Sequence, residues 1–383
     1  MASNLQAFTD FMDATENTIL TSPGHVLNEA TANSYLLREY LRGKSESEVV
    51  QGGKKIQDFI MFDEASTFDH VLPGQTHVWK NPQVLDSWET SWRYAIDHMT
   101  WTDQEIELQM GDGLSTAGRH RVLKRLKQVK EMRVKTSLIN GLEDELWRLP
   151  SGAEMEADSG RHPYSLVSHF NENTDGLHEN WGSSTKQNIS PTAEAKWVPQ
   201  QVGYDFSGAT PTITGEAILD AFDTMFYRVG RDSLPMGEEV SESPTNATMI
   251  VCSAFGINQY KQALRRAQDS YVTPDRQDPA YNNPKYSGIS LVYASGLDDA
   301  RLWVDGGIGV GSETGSGVTN DGPRYLWINR KYHKPVFHSK RYMYRGQTMR
   351  HPNQPSTHIQ TVDCWHNYPA QSMQRHGIVF PNA

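Results

Sequence analysis

The most regular hydrophobic pattern in the chain runs from about residue 116 to residue 149. Ser115 or Thr116 is a suitable N-cap, and Pro150 ends the pattern. The spacing predicts a helix over 116–149, about 50 Å long at about 1.5 Å per residue, which is enough to cross a domain. The apolar side chains recur at steps of three, four or five residues, as on one face of a helix: Val122, Leu126, Val129, Val134, Leu138, Leu142, Leu146 and Leu149.

Residues 88–100 show the shorter period of a strand. Trp92, Tyr94 and Ile96 alternate with polar or small residues, which is typical of a half-buried strand that lines one face of a sheet. Ahead of this strand, the extended segments 59–62 and 77–79 flank Pro73-Gly74, so we predict a hairpin there.

The segment Thr102-Asp-Gln-Glu105 fits two structures. As a capping box it opens a short helix, because the threonine and glutamate side chains can bond each other's backbone amides. As a continued strand it places Asp103, Glu105 and Glu107 along one edge. The pattern does not decide between the two.

Shorter patterns predict the remaining elements. Residues 26–41 form a helical pattern with too few apolar positions to fold alone, and 151–215 predict long ordered loops or a lobe of short strands. The others are helices at 216–229 and 255–270, a buried strand at 248–252, strands at 289–294, 302–304 and 324–328, and alternating aromatic and polar residues over 336–380.

The composition indicates a chain that depends on neighbours. Its 383 residues are enough for one large mixed domain or two lobes, yet only 37% are apolar and the mean hydropathy is −0.63. Much of the chain is therefore expected to be solvated, extended or buried against partners. A subunit with a thin core of its own fits this composition.

Cysteine content and apolar runs exclude some classes. Cys252 and Cys364 are the only cysteines, which rules out a disulfide framework and a cysteine-rich zinc site and fits synthesis in a reducing cytosol. No run approaches the ~18 apolar residues of a membrane span, and the start lacks the features of a signal peptide. We expect a protein that is soluble where it is made and has no membrane partner.

Charge is distributed unevenly along the chain. The net charge is −10, but residues 119–135 carry a local balance of +7, so the remainder carries −17. A basic helix on an acidic body indicates either a face paired within the chain, or a surface directed at another subunit or at packaged nucleic acid. The bases are Arg119, Arg121, Lys124, Arg125, Lys127, Lys130, Arg133 and Lys135, against the single acid Glu131.

The acidic group Asp103, Glu105 and Glu107 also has two interpretations. Paired carboxylates can perform acid–base catalysis. Beside a helix with eight bases, salt bridges between elements or between subunits are the better interpretation. We therefore predict an acidic partner stripe for the basic helix at these residues.

No motif for catalysis, metal binding or cofactor binding emerges. The glycine cluster 306–312 contains no G-x-G-x-x-G and is not followed by Gly-Lys-Ser/Thr, so a surface loop is expected there. The pairs His333/His338 and His169/His178 lack the i, i+4 spacing of zinc hydrolases. These histidines are expected at the surface or at interfaces. We find no G-x-S-x-G and predict no cofactor.

Five segments resemble a known family in their order and spacing across nearly the whole chain. The family is the major capsid proteins of tailed bacteriophages, in particular those of marine and environmental phages. No single segment is as specific as a metal-binding motif, so the resemblance lies in the combination. The segments are Gly43–Gly53, Trp92–Leu108, Phe337–Tyr344, Asp363–Tyr368 and Arg375–Pro381.

The resemblance implies an α+β fold of the Hong Kong 97 type. Each part of that fold has a candidate in the predicted elements. The expected parts are an N-terminal arm at 1–55, an extended hairpin loop at 56–87, a peripheral domain at 88–164 with its spine helix at 116–149, an axial domain at 165–335, and strands at 336–383 that return to the peripheral domain.

The resemblance also implies a function. Such a subunit self-assembles through pentamers and hexamers into the icosahedral head around double-stranded DNA, as a structural protein and not an enzyme. Expected partners are its own copies, portal and scaffolding proteins, DNA bound without sequence specificity and, where one is present, a decoration protein. It would assemble in the host cytoplasm and reside in the virion. The sequence identifies no lysine–asparagine pair for covalent crosslinking, so we expect non-covalent contacts to hold the subunits together.

Two alternatives remain at this point. One is a two-lobed α/β enzyme, which would need a convergent set of catalytic groups that the sequence does not display. The other is a different shell or tail protein, such as a baseplate component or the shell of a cellular nanocompartment. The order of arm, hairpin and long basic helix favours a capsid over a tail part.

Overall fold

The computed structural model describes residues 48–50, 52–62, 70, 72, 85–105, 116–147, 161–170, 187–190, 193–194, 196–205, 211–231, 248–266, 284–297 and 323–382. Several predictions lie outside these residues, and nothing further is said of them. They are most of the arm with its helix at 26–41, the turn Pro73-Gly74 with the segment 77–79, Glu107, most of 151–215, the strand 302–304, and the glycine cluster 306–312.

Helices and strands alternate irregularly along the chain. The helices are α1 Thr116–Trp147, α2 Leu166–His169, α3 Pro211–Arg231 and α4 Ala254–Arg266, with a 3-10 turn at Ser295–Leu297. The strands are β1 Glu48–Val50, β2 Lys55–Met61, β3 Leu85–Ser91, β4 Arg93–Thr102, β5 Gln200–Asp205, β6 Met249–Cys252, β7 Lys285–Tyr286, β8 Ile289–Tyr293, β9 Tyr325–Ile328, β10 Val336–His338, β11 Tyr344–Arg345, β12 Met349–His351, β13 Gln354–Asn367 and β14 Gly377–Asn382.

The long helix is confirmed as one unbroken element. Helix α1 begins at Thr116, as predicted, and its last described residue is Trp147, two residues before the predicted end. The amphipathic pattern at 216–229 lies in α3, and the described part of the pattern at 255–270, up to Arg266, lies in α4. The fully apolar run Met249–Cys252 is the buried strand β6.

The first six-stranded sheet, sheet I, is built around the long strand β13. Strand β4 pairs antiparallel with one edge of β13, opposing residues 93–102 to residues 366–357. The other edge of β13 pairs in turn with β12, β11 and β10, and β1 joins β10 in parallel. Sheet I therefore combines the strand that follows the hairpin with strands from the end of the chain.

The second six-stranded sheet, sheet II, has the order β5-β14-β9-β6-β8-β7. Its pairs are mixed: β14 with β5 and β6 with β8 run parallel, whereas β9 runs antiparallel to both β14 and β6. The short β7 pairs antiparallel with β8 at one edge. Strands far apart in sequence are thus adjacent, because β14 from the end of the chain inserts between β5 and β9.

One hydrophobic core joins the two sheets through helix α1. Leu138, Leu142 and Leu146 of α1 share a buried cluster with residues of both sheets. Full burial of a leucine side chain contributes about 1.5–3 kcal/mol, so this helix holds much of the molecule together. At its C-terminal end, a Cβ on Gly296 would lie 2.3 Å from Trp147 Cγ, so only glycine allows this close approach.

The other face of sheet II is covered by α3 and α4. Alternating residues of β6 divide between the two faces: Met249 and Val251 join the α1 core, and Ile250 and Cys252 join this second core. Phe222 of α3 lies at its centre, in ring contact with Tyr260, Tyr286, Tyr325 and Trp327 at 4.8–5.4 Å between centroids. Sheet II is therefore buried on both faces.

The described part of the hairpin has one packed face and one exposed face. Strands β2 and β3 pair antiparallel from Lys55 opposite Ser91 to Met61 opposite Leu85. On the packed face, Ile56 and Trp88 join a third buried cluster that includes Trp92 and Trp197. The exposed large apolar side chains on the described part of this hairpin are Phe59, Met61 and Leu85, at 71%, 55% and 61% exposure.

Candidate interaction surface

Sheet I has one covered face and one open face. Ala95, Met99 and Trp101 of β4 pack into the α1 core. The side chains of the opposite face, called the open face here, are exposed at Tyr94 (60%), Ile96 (71%), Tyr344 (45%) and Met349 (60%) and half-buried at Ile359 and Trp365. Contiguous exposed apolar side chains on a folded subunit indicate an interaction site.

The prediction for the face of β4 is wrong at two residues. The predicted strand 88–100 is confirmed only from Arg93, where β4 begins. Residues 88–91 belong to β3 of the hairpin, and Trp92 between the two strands is buried in the hairpin cluster. Tyr94 and Ile96 are exposed, however, because α1 packs against the other face of the strand. Periodicity identifies two faces but does not say which one the tertiary structure covers.

An arginine holds the aromatic side chains of the open face in place. The Arg341 guanidinium lies 4.7 Å from the Tyr344 ring centroid and 5.4 Å from that of Trp365. Its Nη1 donates to Asp363 Oδ2 at 3.0 Å, and Tyr94 meets Trp365 edge-on at 4.7 Å. Cation–π contacts and an ion pair therefore preorganise this surface before any partner binds.

The basic segment of α1 is only partly described. Lys130 Nζ donates to the Thr100 carbonyl at 2.8 Å and forms an ion pair with Glu105, while Arg133 Nη2 donates to the His98 carbonyl at 3.2 Å. Lys135 is exposed. The backbone is helical throughout, but the side chains of Arg119, Arg121, Lys124, Arg125 and Lys127 lie outside the described part.

The capping-box alternative at Thr102–Glu105 is correct. Thr102 N–H donates to Glu105 Oε2 at 3.3 Å, and Glu105 N–H donates to Thr102 Oγ1 at 3.2 Å. Residues 103–105 turn into a helix, so the continued-strand alternative is wrong there. Asp103 contacts His358 Nε2 at 2.7 Å, which links this turn to β13.

Three buried histidines lie where the two sheets meet. His333 lies in the connection from β9 to β10, His376 lies in the connection from β13 to β14, and His169 is on α2. The ring centroids of His169 and His333 are 5.4 Å apart, and those of His333 and His376 are 6.0 Å apart. The prediction of surface or interface positions is wrong for His169 and His333, which are each 1% exposed.

His333 and His376 are held neutral by their surroundings. Burial is the main cause that lowers the pKa of His376 to about 3 and that of His333 well below 6.5, and neighbouring histidines add to it. Asn329 N–H donates to His376 Nδ1, which must therefore be unprotonated. A fourth histidine, His366 on β13, has a pKa lowered to about 4, chiefly by burial.

The described residues offer little for metal or small-molecule chemistry. Within the ranges given above, no three histidine, cysteine or acidic residues are placed to hold a metal ion. A cleft of about 270 Å³ between β5 and α3 is lined in part by Asp205, Asp220 and Thr224. Burial raises the pKa of the Cys364 thiol to about 11, which makes it a poor nucleophile.

The sequence patterns missed the open face and the histidine cluster. Alternation over 336–380 signalled strands, and residues such as Tyr344 and Met349 were visible there, but their exposure depends on what packs on sheet I. The histidines lie at 169, 333 and 376, and no local spacing connects such distant positions. Among the described helices, none is long and apolar enough to span a bilayer.

Comparison with known proteins gives fold relatives only. No protein-family model matches the chain, and no curated protein matches it. Among solved structures, the chain is similar to a protein of the mature capsid of bacteriophage PhiM1, with a TM-score of 0.50 and 11% identity over 94% of this chain and 89% of that chain.

A second solved structure gives the same result. The chain is similar to a capsid protein of cyanophage A-1(L), with a TM-score of 0.50 and 12% identity, covering 94% of this chain and 95% of that one. At such low identity the likeness shows the fold alone. The chain therefore has the α+β fold of these phage capsid chains, as the sequence resemblance predicted.

Proposed function

We propose that this chain is the major capsid protein of a tailed bacteriophage, a structural subunit that self-assembles into the icosahedral head around double-stranded DNA. The observation that carries the proposal is the similarity in fold over 94% of the chain to two phage capsid proteins, each matched over most of its own length. We assign no enzymatic activity and no cofactor.

The uncovered surfaces of the subunit support self-assembly. The open face of sheet I and the exposed side of the β2–β3 hairpin both present large apolar side chains, among them Phe59 and Ile96, each 71% exposed. The chain has a modest apolar content, and these apolar side chains are exposed to water in the single subunit. Contacts between copies would bury that apolar area. Pentamers and hexamers arise when such contacts join unlike surfaces of neighbouring copies.

We assign the parts of the capsid fold to this chain as follows. Helix α1 is the spine helix of a peripheral domain that also contains sheet I, and sheet II with α3 and α4 is the axial domain. On this assignment β14 belongs to the axial domain, whereas the resemblance implied that all of 336–383 returns to the peripheral domain. Residues 1–55 are assigned to the arm and residues 56–87 to the extended hairpin loop. Portal and scaffolding proteins are further expected partners, and assembly in the host cytoplasm is expected.

Assembly can be tested on the purified subunit. We expect sedimentation velocity to detect pentamers, hexamers or shells as concentration rises, and negative-stain microscopy to resolve closed particles once a crowding agent is added. A compact monomer at every concentration, with and without crowding agent, would contradict the proposal. Turnover of a small molecule by that monomer would favour the enzyme alternative.

The basic first half of α1 is proposed to face packaged DNA. Lys130 and Arg133 donate to β4 carbonyls, so they are less suited to contact DNA than the bases nearer the start of the helix. A triple reversal, Arg121→Glu, Lys124→Glu and Arg125→Glu, is expected to leave the subunit folded but to lower DNA retention in particles. The neutral triple variant with glutamine serves as the control. Normally filled, salt-stable particles from the reversed variant would exclude this role.

A further inference from the structure

Strand β4 forms an edge of sheet I, since β13 is its only partner among the described strands. The register opposes Tyr94 to Trp365 and His98 to Thr361. On β13, Trp365 N–H and the Thr361 carbonyl bond to residues on the far side, away from β4. Directly opposed residues of an antiparallel pair either bond each other or both point away from the pair. The N–H and C=O groups of the even-numbered residues of β4 therefore point away from β13, towards the unpaired edge of the sheet.

The C-terminal half of this edge is capped by the chain itself. A strand that tried to pair there would have to displace charged side chains, a common device for protecting sheet edges. The caps are Arg133 on the His98 carbonyl at 3.2 Å, Lys130 on the Thr100 carbonyl at 2.8 Å, Asp97 on the His98 amide at 2.7 Å, and Glu105 on the Thr102 amide at 3.3 Å.

The N-terminal half of the edge has no such caps. No hydrogen bond joins the outward backbone groups of Tyr94 and Ile96 to any other residue in the described part of the chain. The side chains of the same two residues are 60% and 71% exposed. An uncapped edge and an uncovered apolar surface therefore coincide over one short stretch, Tyr94–Ile96.

On each hairpin strand an aspartate bonds one outward amide. Asp58 Oδ1 accepts from Phe59 N–H at 2.8 Å, and Asp86 Oδ1 accepts from Ser87 N–H at 2.7 Å. Glu89 N–H bonds Gln187 outside the hairpin, so the Ser87 amide two residues earlier also points away from β2, and the opposed Phe59 amide points away from β3. Asp97 Oδ1 accepts from the His98 amide in the same way. Neither Tyr94 nor Ile96 has such a bond to its outward amide within the described part of the chain.

We infer that a strand from a second copy of this chain adds to β4 at Tyr94–Ile96. This inference rests on the proposed function, because shell assembly brings copies of the subunit together. A second copy offers matching apolar side chains, because its hairpin exposes Phe59, Met61 and Leu85. Strand addition would satisfy the outward amides and cover the apolar side chains in one step.

The test combines hydrogen exchange with one matched pair of variants. Residue-resolved exchange on free and assembled wild-type protein is expected to show slow Tyr94 and Ile96 amides only after assembly, and a slow His98 amide in both states. Ile96→Lys is expected to raise the concentration needed for assembly by about tenfold or more, since lysine blocks edge pairing. Thr100→Lys, on the same strand and the same exposed face, is expected to change it less than about twofold because that half is already capped.

Each other outcome overturns the inference in a distinguishable way. Assembly with fast Tyr94 and Ile96 amides would overturn the edge pairing and leave the proposed function intact. Slow exchange in the free subunit would mean that the chain's own residues occupy the edge. If wild-type protein did not associate at all, both the inference and the proposed function would fail. The exchange measurement needs no mutation, so a variant that misfolds does not affect it.

Discussion

The two sheets differ in how completely their own chain covers them. Sheet II is buried on both faces, by the α1 core on one side and by α3 and α4 on the other. Sheet I is covered by α1 on one face and is open on the other, where Tyr94 and Ile96 meet solvent. Sheet II is covered within the subunit, whereas sheet I presents an exposed apolar surface that a partner could cover. Stability and assembly are therefore expected to depend on different residues.

The largest expected effect is in the second core of sheet II. Phe222→Ala removes a fully buried ring that contacts four other rings, so we expect a loss of about 3–5 kcal/mol in the free energy of unfolding. Urea unfolding of the unassembled subunit measures it. Ile96→Ala on the open face is the matched change and is expected to alter stability by less than about 0.5 kcal/mol. Equal losses of unfolding free energy at the two positions would contradict the expected difference between the sheets.

Two buried histidines, His376 at the junction between the sheets and His366 on β13, are expected to make the subunit sensitive to acid. The pKa values of His366 and His376 in the folded chain lie below 6.5, so the unfolded chain binds these protons first. Stability is then lost as pH falls from about 6.5 towards 4. From pH 7 to pH 5 the loss is about 2 kcal/mol for each such histidine.

His366→Phe isolates one of these contributions. It keeps an aromatic ring beside Phe337 and removes the titrating group, so the stability loss between pH 7 and pH 5 should shrink by about 2 kcal/mol. Unfolding curves at pH 8, where the wild-type histidine is neutral in both states, measure the change in packing alone. An unaltered pH dependence would show that His366 does not contribute to the acid sensitivity.

A smaller effect is expected where the capped half of β4 ends. Thr102→Ala removes the hydroxyl that accepts from Glu105 N–H, and the expected cost is about 1 kcal/mol of stability. Thr102→Ser keeps the hydroxyl and should retain most of that stability. Thermal unfolding of both variants checks the difference. Equal melting temperatures for the two would mean that the capping box contributes little.

The smallest expected effect is on the surface between α1 and sheet I. Arg345 Nη1 bonds Glu131 Oε1 at 2.9 Å, and both side chains are partly exposed. A double-mutant cycle with Arg345→Gln and Glu131→Gln should give a coupling below about 1 kcal/mol, and the coupling should decrease with added salt. A coupling well above this range would mean that the pair is shielded from solvent more than its exposure indicates.

Local patterns predicted the elements well because their causes are local. The helix α1 was predicted because its apolar positions repeat every three to five residues and a proline follows. The buried strand β6 was predicted because all four of its residues are apolar. For Thr102–Glu105 the sequence allowed both a cap and a strand, and only the mutual hydrogen bonds in the folded chain separated them.

The candidate surface was far harder to predict, as β4 illustrates. The alternation of Tyr94 and Ile96 with polar residues is the same whether that face is buried or open. The protected and unprotected halves of the strand differ through Lys130 and Arg133, which lie some thirty residues further along the chain. Their basic character allowed either a face paired within the chain or a surface directed at another subunit or nucleic acid, and both bond backbone carbonyls of β4.

The sequence by itself determined where helices and strands form, the concentration of positive charge at the start of α1, and the shortage of apolar residues that favours a subunit with partners. It did so because periodicity, capping and composition act between near neighbours or over the whole chain. Only the tertiary structure decided which face of sheet I is open, which edge of β4 is uncapped, and that histidines 169, 333 and 376 share one buried junction. These features arise from contacts between residues far apart in sequence, and such contacts form only when the sheets and α1 pack together.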